Sequence, residues 1–167
     1  DATMTNAADN NTGVGYAALG ALTAGYSNTA VGSSALGTLD GVNNVAIGEG
    51  ALGADCADAN VAIGQGALGA TTGSDNVAIG KGAGASITAG AENIAIGSNA
   101  LDAVAVGEGA NVAIGHLAMT SVDEGTGNGD ADYNVAIGYG ALTGGDFAGN
   151  DRQLQGNVAI GAFALDD

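Results

Sequence analysis

No proline interrupts this chain, so every backbone N–H is free to enter a hydrogen-bonded ladder, and a long run of paired strands meets no breaker. Tryptophan is also absent and aromatic residues make up only 4%, while alanine and glycine dominate, so each residue can bury little apolar area. A single compact core of ordinary thickness is therefore not expected from the 167 residues. Cys56 is the only cysteine, which excludes an intrachain disulfide. Fixed positive charge is confined to Lys81 and Arg152 against a formal net charge of −16, which excludes nucleic acid and argues against anionic membrane surfaces as partners. No apolar run approaches the roughly 20 residues of a membrane-spanning helix, so no membrane insertion is expected. The chain opens on Asp1 and not Met, which gives the expectation of a processed or excised extracellular segment.

What the sequence does have is a phrase. Asn, then Val, Ile or Thr, then Ala, then Ile or Val, then Gly recurs from Asn11, Asn28, Asn44, Asn60, Asn76, Asn93, Asn111, Asn134 and Asn157, with a degenerate copy opening at Ala103. The intervals are 17, 16, 16, 16, 17, 18, 23 and 23 residues. Periods in this range mark repeat architectures. Within each phrase large and tiny residues alternate with the two-residue period of a strand, and glycine recurs too often for a helix, at about 1 kcal/mol per interior glycine. The expected fold is all-β: a parallel β-solenoid, or β-roll, of about nine coils with repeats of 16–23 residues. At ~4.8 Å per coil it is roughly 40 Å long.

Each coil is expected to carry two strands. The first is the phrase, ended by a glycine turn at Gly48, Gly64 or Gly80; the second holds the leucine at a fixed offset, as Leu36, Leu52, Leu68, Leu101, Leu142 and Leu165. Stacking would set Asn44, Asn60 and Asn76 above one another as an amide ladder at one corner.

The phrases Asn44–Gly48 and Asn60–Gly64 closely resemble the head repeats of trimeric autotransporter adhesins, the YadA-like left-handed parallel β-roll, and similar repeats occur in viral and phage tail fibres. The resemblance covers Asn11 to Gly161. It implies a homotrimer of β-rolls in which Val45, Ile47, Leu52, Val61, Ile63, Leu68, Val77 and Ile79 fill each roll. The small residues, the rank Ala30, Ala46, Ala62, Ala78, Ala95, Ala113, Ala136 and Ala159, would face neighbouring protomers. So thin a roll is expected to be unstable alone and to bury its alanine face in a subunit interface.

Residues 1–167 read as one repeat domain, with less regular N-terminal coils over 1–43, regular coils over 44–120 and loop-bearing coils over 121–167. The phrase is modified at Thr12, Gly13 and Thr29; Gly84 takes the leucine place, and Ala103–Gly107 is expected to supply a variant second strand. The long intervals place surface loops at Ser121–Tyr133 and Gly144–Gly156, where function usually concentrates.

Chemistry is sparse. The strings Gly48–Gly53 and Gly64–Gly69 match a dinucleotide fingerprint in letters only, since they recur with the repeat and leave no room for the required helix. His116 is the only histidine and fills the variable place after the repeat glycine, held elsewhere by Glu49, Gln65, Lys81, Glu108 and Tyr139. A solvated surface residue is the reading for it, as for Lys81. Cys56 lies between acids that raise a thiol pKa. No catalytic set is expected and the chain does not read as an enzyme. Asn128, Asp130 and Asp132, spaced i, i+2, i+4 beside Asp123 and Glu124, are the candidate Ca²⁺ ligands, weighed against a plain solvated acidic loop. Three copies of so acidic a chain repel one another, which gives calcium a reason to stabilise them.

The function expected is structural and adhesive: a protomer of a trimeric extracellular fibre or adhesin head, on a cell or virion surface, meeting an unknown surface receptor. Rivals are a self-assembling extracellular filament pairing end to end, a phage or viral tail-fibre shaft, and more remotely an ice- or calcium-binding solenoid. Ice binding needs continuous threonine ranks, and Thr12 and Thr29 give way to Val45, Val61 and Val77.

Overall fold

The computed structural model describes residues 9–37, 40–54, 57–102, 109–120, 131–144 and 154–166. Nine three-residue strands, one per phrase, lie at β1 (Thr12–Val14), β2 (Thr29–Val31), β3 (Val45–Ile47), β4 (Val61–Ile63), β5 (Val77–Ile79), β6 (Ile94–Ile96), β7 (Val112–Ile114), β8 (Val135–Ile137) and β9 (Val158–Ile160). They form a single parallel sheet in sequence order. The register is invariant: Val45, Ala46 and Ile47 pair with Val61, Ala62 and Ile63, and those with Val77, Ala78 and Ile79. The two- and seven-residue expansions of the interval leave it untouched, as in the pairing of Ala95 with Ala113 and of Ala113 with Ala136. This is the expected all-β parallel solenoid. The strands keep their register whatever the length of the interval, because register is fixed by the buried pattern.

The asparagines hold the coils together. The side-chain oxygen of Asn44 accepts the backbone N–H of Asn60 at 2.8 Å, and that of Asn60 accepts the N–H of Asn76 at 3.0 Å. The same side chains also donate, Asn44 Nδ2 to the Ala57 carbonyl at 3.0 Å and Asn60 Nδ2 to the Gly73 carbonyl at 2.9 Å. Each asparagine thus ties its own coil shut and grips the next one, and from Asn28 to Asn134 all are buried. A buried amide satisfied on both ends stabilises; the same amide with one partner removed costs about 1–3 kcal/mol.

Two expectations are corrected. The leucine segment is no second strand: it is a turn in which Leu36, Leu52, Leu68 and Leu101 sit at φ 49°, 48°, 49° and 55°. Those leucines are nonetheless fully buried, as read for Leu52 and Leu68. The left-handed backbone at this place curls the chain back toward the strand and aims the side chain inward. Where Gly84 replaces the leucine, Ile87 fills its space from three residues on, its Cδ1 lying 3.0 Å from where a Cβ on Gly84 would be. The degenerate stretch Ala103–Gly107 lies outside the described residues, and β6 and β7, before and after it in the chain, pair in the common register.

The second correction inverts the faces. Ala30, Ala46, Ala62, Ala78, Ala95, Ala113, Ala136 and Ala159 are buried inside the roll and are not an interface rank, while Val45, Ile47, Val61, Ile63, Val77 and Ile79 point outward, partly exposed, and do not fill the roll. The coil is narrow. Behind the strand the interior already holds the asparagine amide, the leucine and a second column of buried alanines, Ala35, Ala51, Ala67, Ala83 and Ala100. At β1, where Gly13 stands in the alanine column, even a Cβ would come within 3.1 Å of Leu19 Cδ1. A methyl is what the cavity admits, so the branched side chains take the other face.

Candidate functional site: the outer face of the sheet

Two columns of β-branched residues, aliphatic but for Thr12 and Thr29, run along the outside of the sheet, one from each end of the three-residue strands. In the middle of the stack Ile47 and Ile79 are each 38% exposed although strands flank them on both sides; on β9, Val158 is 62% exposed. A continuous apolar surface of this length is uncommon on an isolated soluble domain.

Each strand ends in a glycine that fixes the margin of this face. Gly48, Gly64 and Gly80 adopt φ of 133°, 134° and 136°, and a Cβ on Gly64 would lie 2.4 Å from the Gly80 carbonyl oxygen. The backbones of successive coils touch here, which no side chain allows. The residue after the glycine then forms a column, with Glu49, Gln65, Lys81, Ser98, His116 and Tyr139 in succession, all exposed but the half-buried Ser98. Its backbone stacks in step, since Gly66 N–H donates to the Glu49 carbonyl at 2.9 Å, Gly82 N–H to Gln65 at 3.0 Å and Asn99 N–H to Lys81 at 2.9 Å. Gln65 Nε2 donates to Glu49 Oε2 at 3.0 Å. His116 stacks on Tyr139 with centroids 5.3 Å apart, and Tyr139 meets Phe163 edge-on at 5.0 Å. His116 is thus exposed as expected, and packed along one edge.

The opposite margin is the residue before each asparagine: Asn43, Ala59, Asp75, Glu92, Ala110 and Tyr133. Sequence reasoning passed over this column. Its signal was a fixed offset from the phrase, at which two acids, Asp75 and Glu92, bracket the coil that carries the only lysine. The margin is also held in step, by N–H groups of Asp75, Glu92 and Ala110 donating to Asp58, Ser74 and Ala91 at 3.1, 3.2 and 3.0 Å.

Carboxylates serve as staples between coils. Asp40 Oδ1 accepts the Thr23 and Ala24 N–H groups and the Thr23 hydroxyl at 2.7–2.8 Å. The hydroxyl first, then the backbone donors, hold the Asp40 carboxyl below its ordinary value of 3.8. Asp58 accepts Val42 N–H at 2.8 Å. Asp102, bonded to Ser86 Oγ at 3.3 Å, is pushed the other way because partial burial penalises its charge more than that bond favours it.

Of the candidate calcium ligands, Asp132 accepts Gly109 N–H at 2.7 Å and belongs to this stapling set, whereas Asn128 and Asp130 lie outside the described residues, as do Cys56 and Arg152. Among the described residues no three His, Cys, Asp or Glu side chains converge. A shallow open hollow of about 400 Å³ over the first three coils is lined by Ala17, Gly20, Ser34, Gly37, Gly50 and Gly53, with no charged group to orient a ligand. Among the described residues no helix is long and apolar enough to cross a membrane. The chain matches no protein-family model, no curated protein and no solved structure.

Proposed function

We propose that this chain is a structural protomer that associates through the outer Val/Ile face of its solenoid into a homotrimeric shaft or head, an adhesive element of an extracellular fibre on a cell or virion surface. The observation that carries the reading is the pair of aliphatic columns left half-exposed along a sheet whose interior is already closed by alanine, leucine and asparagine. Burying such columns against other copies gains about 25 cal/mol per Å² of apolar area. The resemblance of the phrases to YadA-like head repeats points the same way. On this reading the interface is the aliphatic face and not the alanine rank; the segments Ser121–Tyr133 and Gly144–Gly156, expected as surface loops, lie for the most part outside the described residues.

Sedimentation velocity tests it. The parent chain is expected to sediment as a trimer, and Ile79→Glu, which places a charge in the outer column, to keep its strand-type circular dichroism while sedimenting as a monomer. A monomeric parent, or an Ile79→Glu variant that assembles like it, overturns the reading. Filaments in electron micrographs would select end-to-end pairing of sheet edges instead.

A further inference from the structure

The two margins of the outer face are complementary to each other, and from this we infer the relative placement of the copies: parallel, level, and joined by ion pairs from Lys81 of one copy to Asp75 and Glu92 of the next. The inference rests on the self-association proposed above and adds its register.

Lys81 is exposed in the column after the glycine and forms no ion pair among the described residues. Asp75 precedes Asn76 on the same coil and Glu92 precedes Asn93 on the following one, both exposed on the opposite margin. Strand β5 and its flanks separate the margins by on the order of 15 Å, beyond the reach of a lysine side chain within one chain. These are the only acids in their column, since its other members are Asn43, Ala59, Ala110 and Tyr133 and their equivalents at Asn10, Ser27 and Gly156. Among the described residues no like charges oppose elsewhere: Glu49 stands level with Asn43 and one coil from Ala59.

Symmetry turns this into a docking rule. Any rotation axis parallel to the solenoid, two-fold or three-fold, sets the glycine-side margin of one copy against the asparagine-side margin of the next at equal height. Because the register of β4, β5 and β6 is unbroken, Lys81 then meets Asp75 in the same layer and Glu92 about 4.8 Å away. A two-fold axis across the solenoid does the opposite. It sets like margins together and turns Lys81 toward the column holding Glu49. Charged residues at the rim of an apolar contact fix register more than they add affinity, and one cation bracketed by two acids can select the level arrangement over one shifted by several coils.

The experiment uses an equal mixture of ¹⁵N-labelled and unlabelled full chain, coupled with a zero-length carbodiimide and digested for mass spectrometry. Mixed-label peptides joining Lys81 to Asp75 or Glu92 are expected. In parallel, sedimentation equilibrium at low ionic strength is expected to show Lys81→Glu assembling at a concentration on the order of tenfold higher, with recovery in the triple variant Lys81→Glu, Asp75→Lys, Glu92→Lys. All three sites are exposed and their columns hold Glu49, Ala59 and Ala110 in other coils, so the fold tolerates the changes. An assembled parent whose mixed-label links run from Lys81 to Glu49, or whose triple variant does not recover, overturns the register and leaves self-association standing. A parent that stays monomeric overturns both.

Discussion

The two faces of the same three-residue strand differ in what they tolerate. Inward, the alanine column admits one methyl: every strand but β1 carries alanine there, and β1 carries glycine. Outward, threonine, valine and isoleucine interchange, and the flanking columns accept acid, amide, lysine, histidine and tyrosine. The difference teaches that this solenoid is specified from within by size and hydrogen bonding, while its outside is free to be specified by whatever it meets.

The sharpest way to break that contrast is a charge in the interior. Ala62→Glu is expected to unfold the chain, because a carboxylate would enter a space closed by leucine, alanine and asparagine with no partner for it, a cost of several kcal/mol. Loss of the strand signal in circular dichroism at ambient temperature checks this. The outcome differs from Ile79→Glu, for which the fold persists and only assembly is lost. A folded, dissociated Ala62→Glu would return the alanine rank to the surface.

A backbone comparison sharpens it further. Gly64→Ala is expected to be much worse than Gly66→Ala, two residues along the same turn. Gly64 has φ 134° and its added Cβ would collide with the Gly80 carbonyl, whereas Gly66 has φ 66° and nothing within 4 Å. The second change costs only about 1–2 kcal/mol for a left-handed alanine, and such residues already occur at Ala17 and Ala59. Urea unfolding midpoints of the two variants, compared at equal slope, give the ranking; near-equal midpoints would mean that the coils do not touch at the glycine.

The smallest effect concerns the staples outside the core. The Asp40 carboxyl is held below its ordinary value by Thr23 and Ala24, so the ionised form favours the folded state. Its contribution is present above about pH 4 and fades as the pH falls from there through the lower folded value, since only then does the native state take up the proton. Protection of the Thr23 and Ala24 amides against hydrogen exchange, referred to the intrinsic rate at each pH, is therefore expected to fall on acidification before that of Val61 or Ala62 does, and Asp40→Asn should remove that pH dependence. Because the carboxylate is exposed, solvent screens it and the change in overall melting is slight.

Much of this was legible in the letters. The asparagine phrase marks a strand in every repeat, the glycine after it sets a corner, and the ladder of Asn44, Asn60 and Asn76 follows from stacking identical coils; the second strand expected at the leucines is a turn. The leucine offset marked buried positions at Leu36, Leu52, Leu68, Leu101 and Leu142 but not at Leu165, which is exposed on the last coil, and its backbone did not read as left-handed, because leucine has no preference for φ near 50° and only the closing of a narrow coil imposes it. The candidate surface was harder to see. Asp75, Glu92 and Lys81 are unremarkable as residues, and their relation appears only once two margins of one sheet are level.

Periodicity alone determined that this chain is a parallel β-solenoid with two chemically distinct strand faces, since a two-residue alternation repeated every 16 to 23 residues has no other way to pair its backbone and segregate its side chains. Which face turns inward was decided only by the tertiary structure. Hydrophobicity favours burying valine and isoleucine, but the interior width is set by the asparagine amides and the leucines that close each coil. A space of that width holds a methyl and excludes a branched chain, so packing overrode the larger transfer energy.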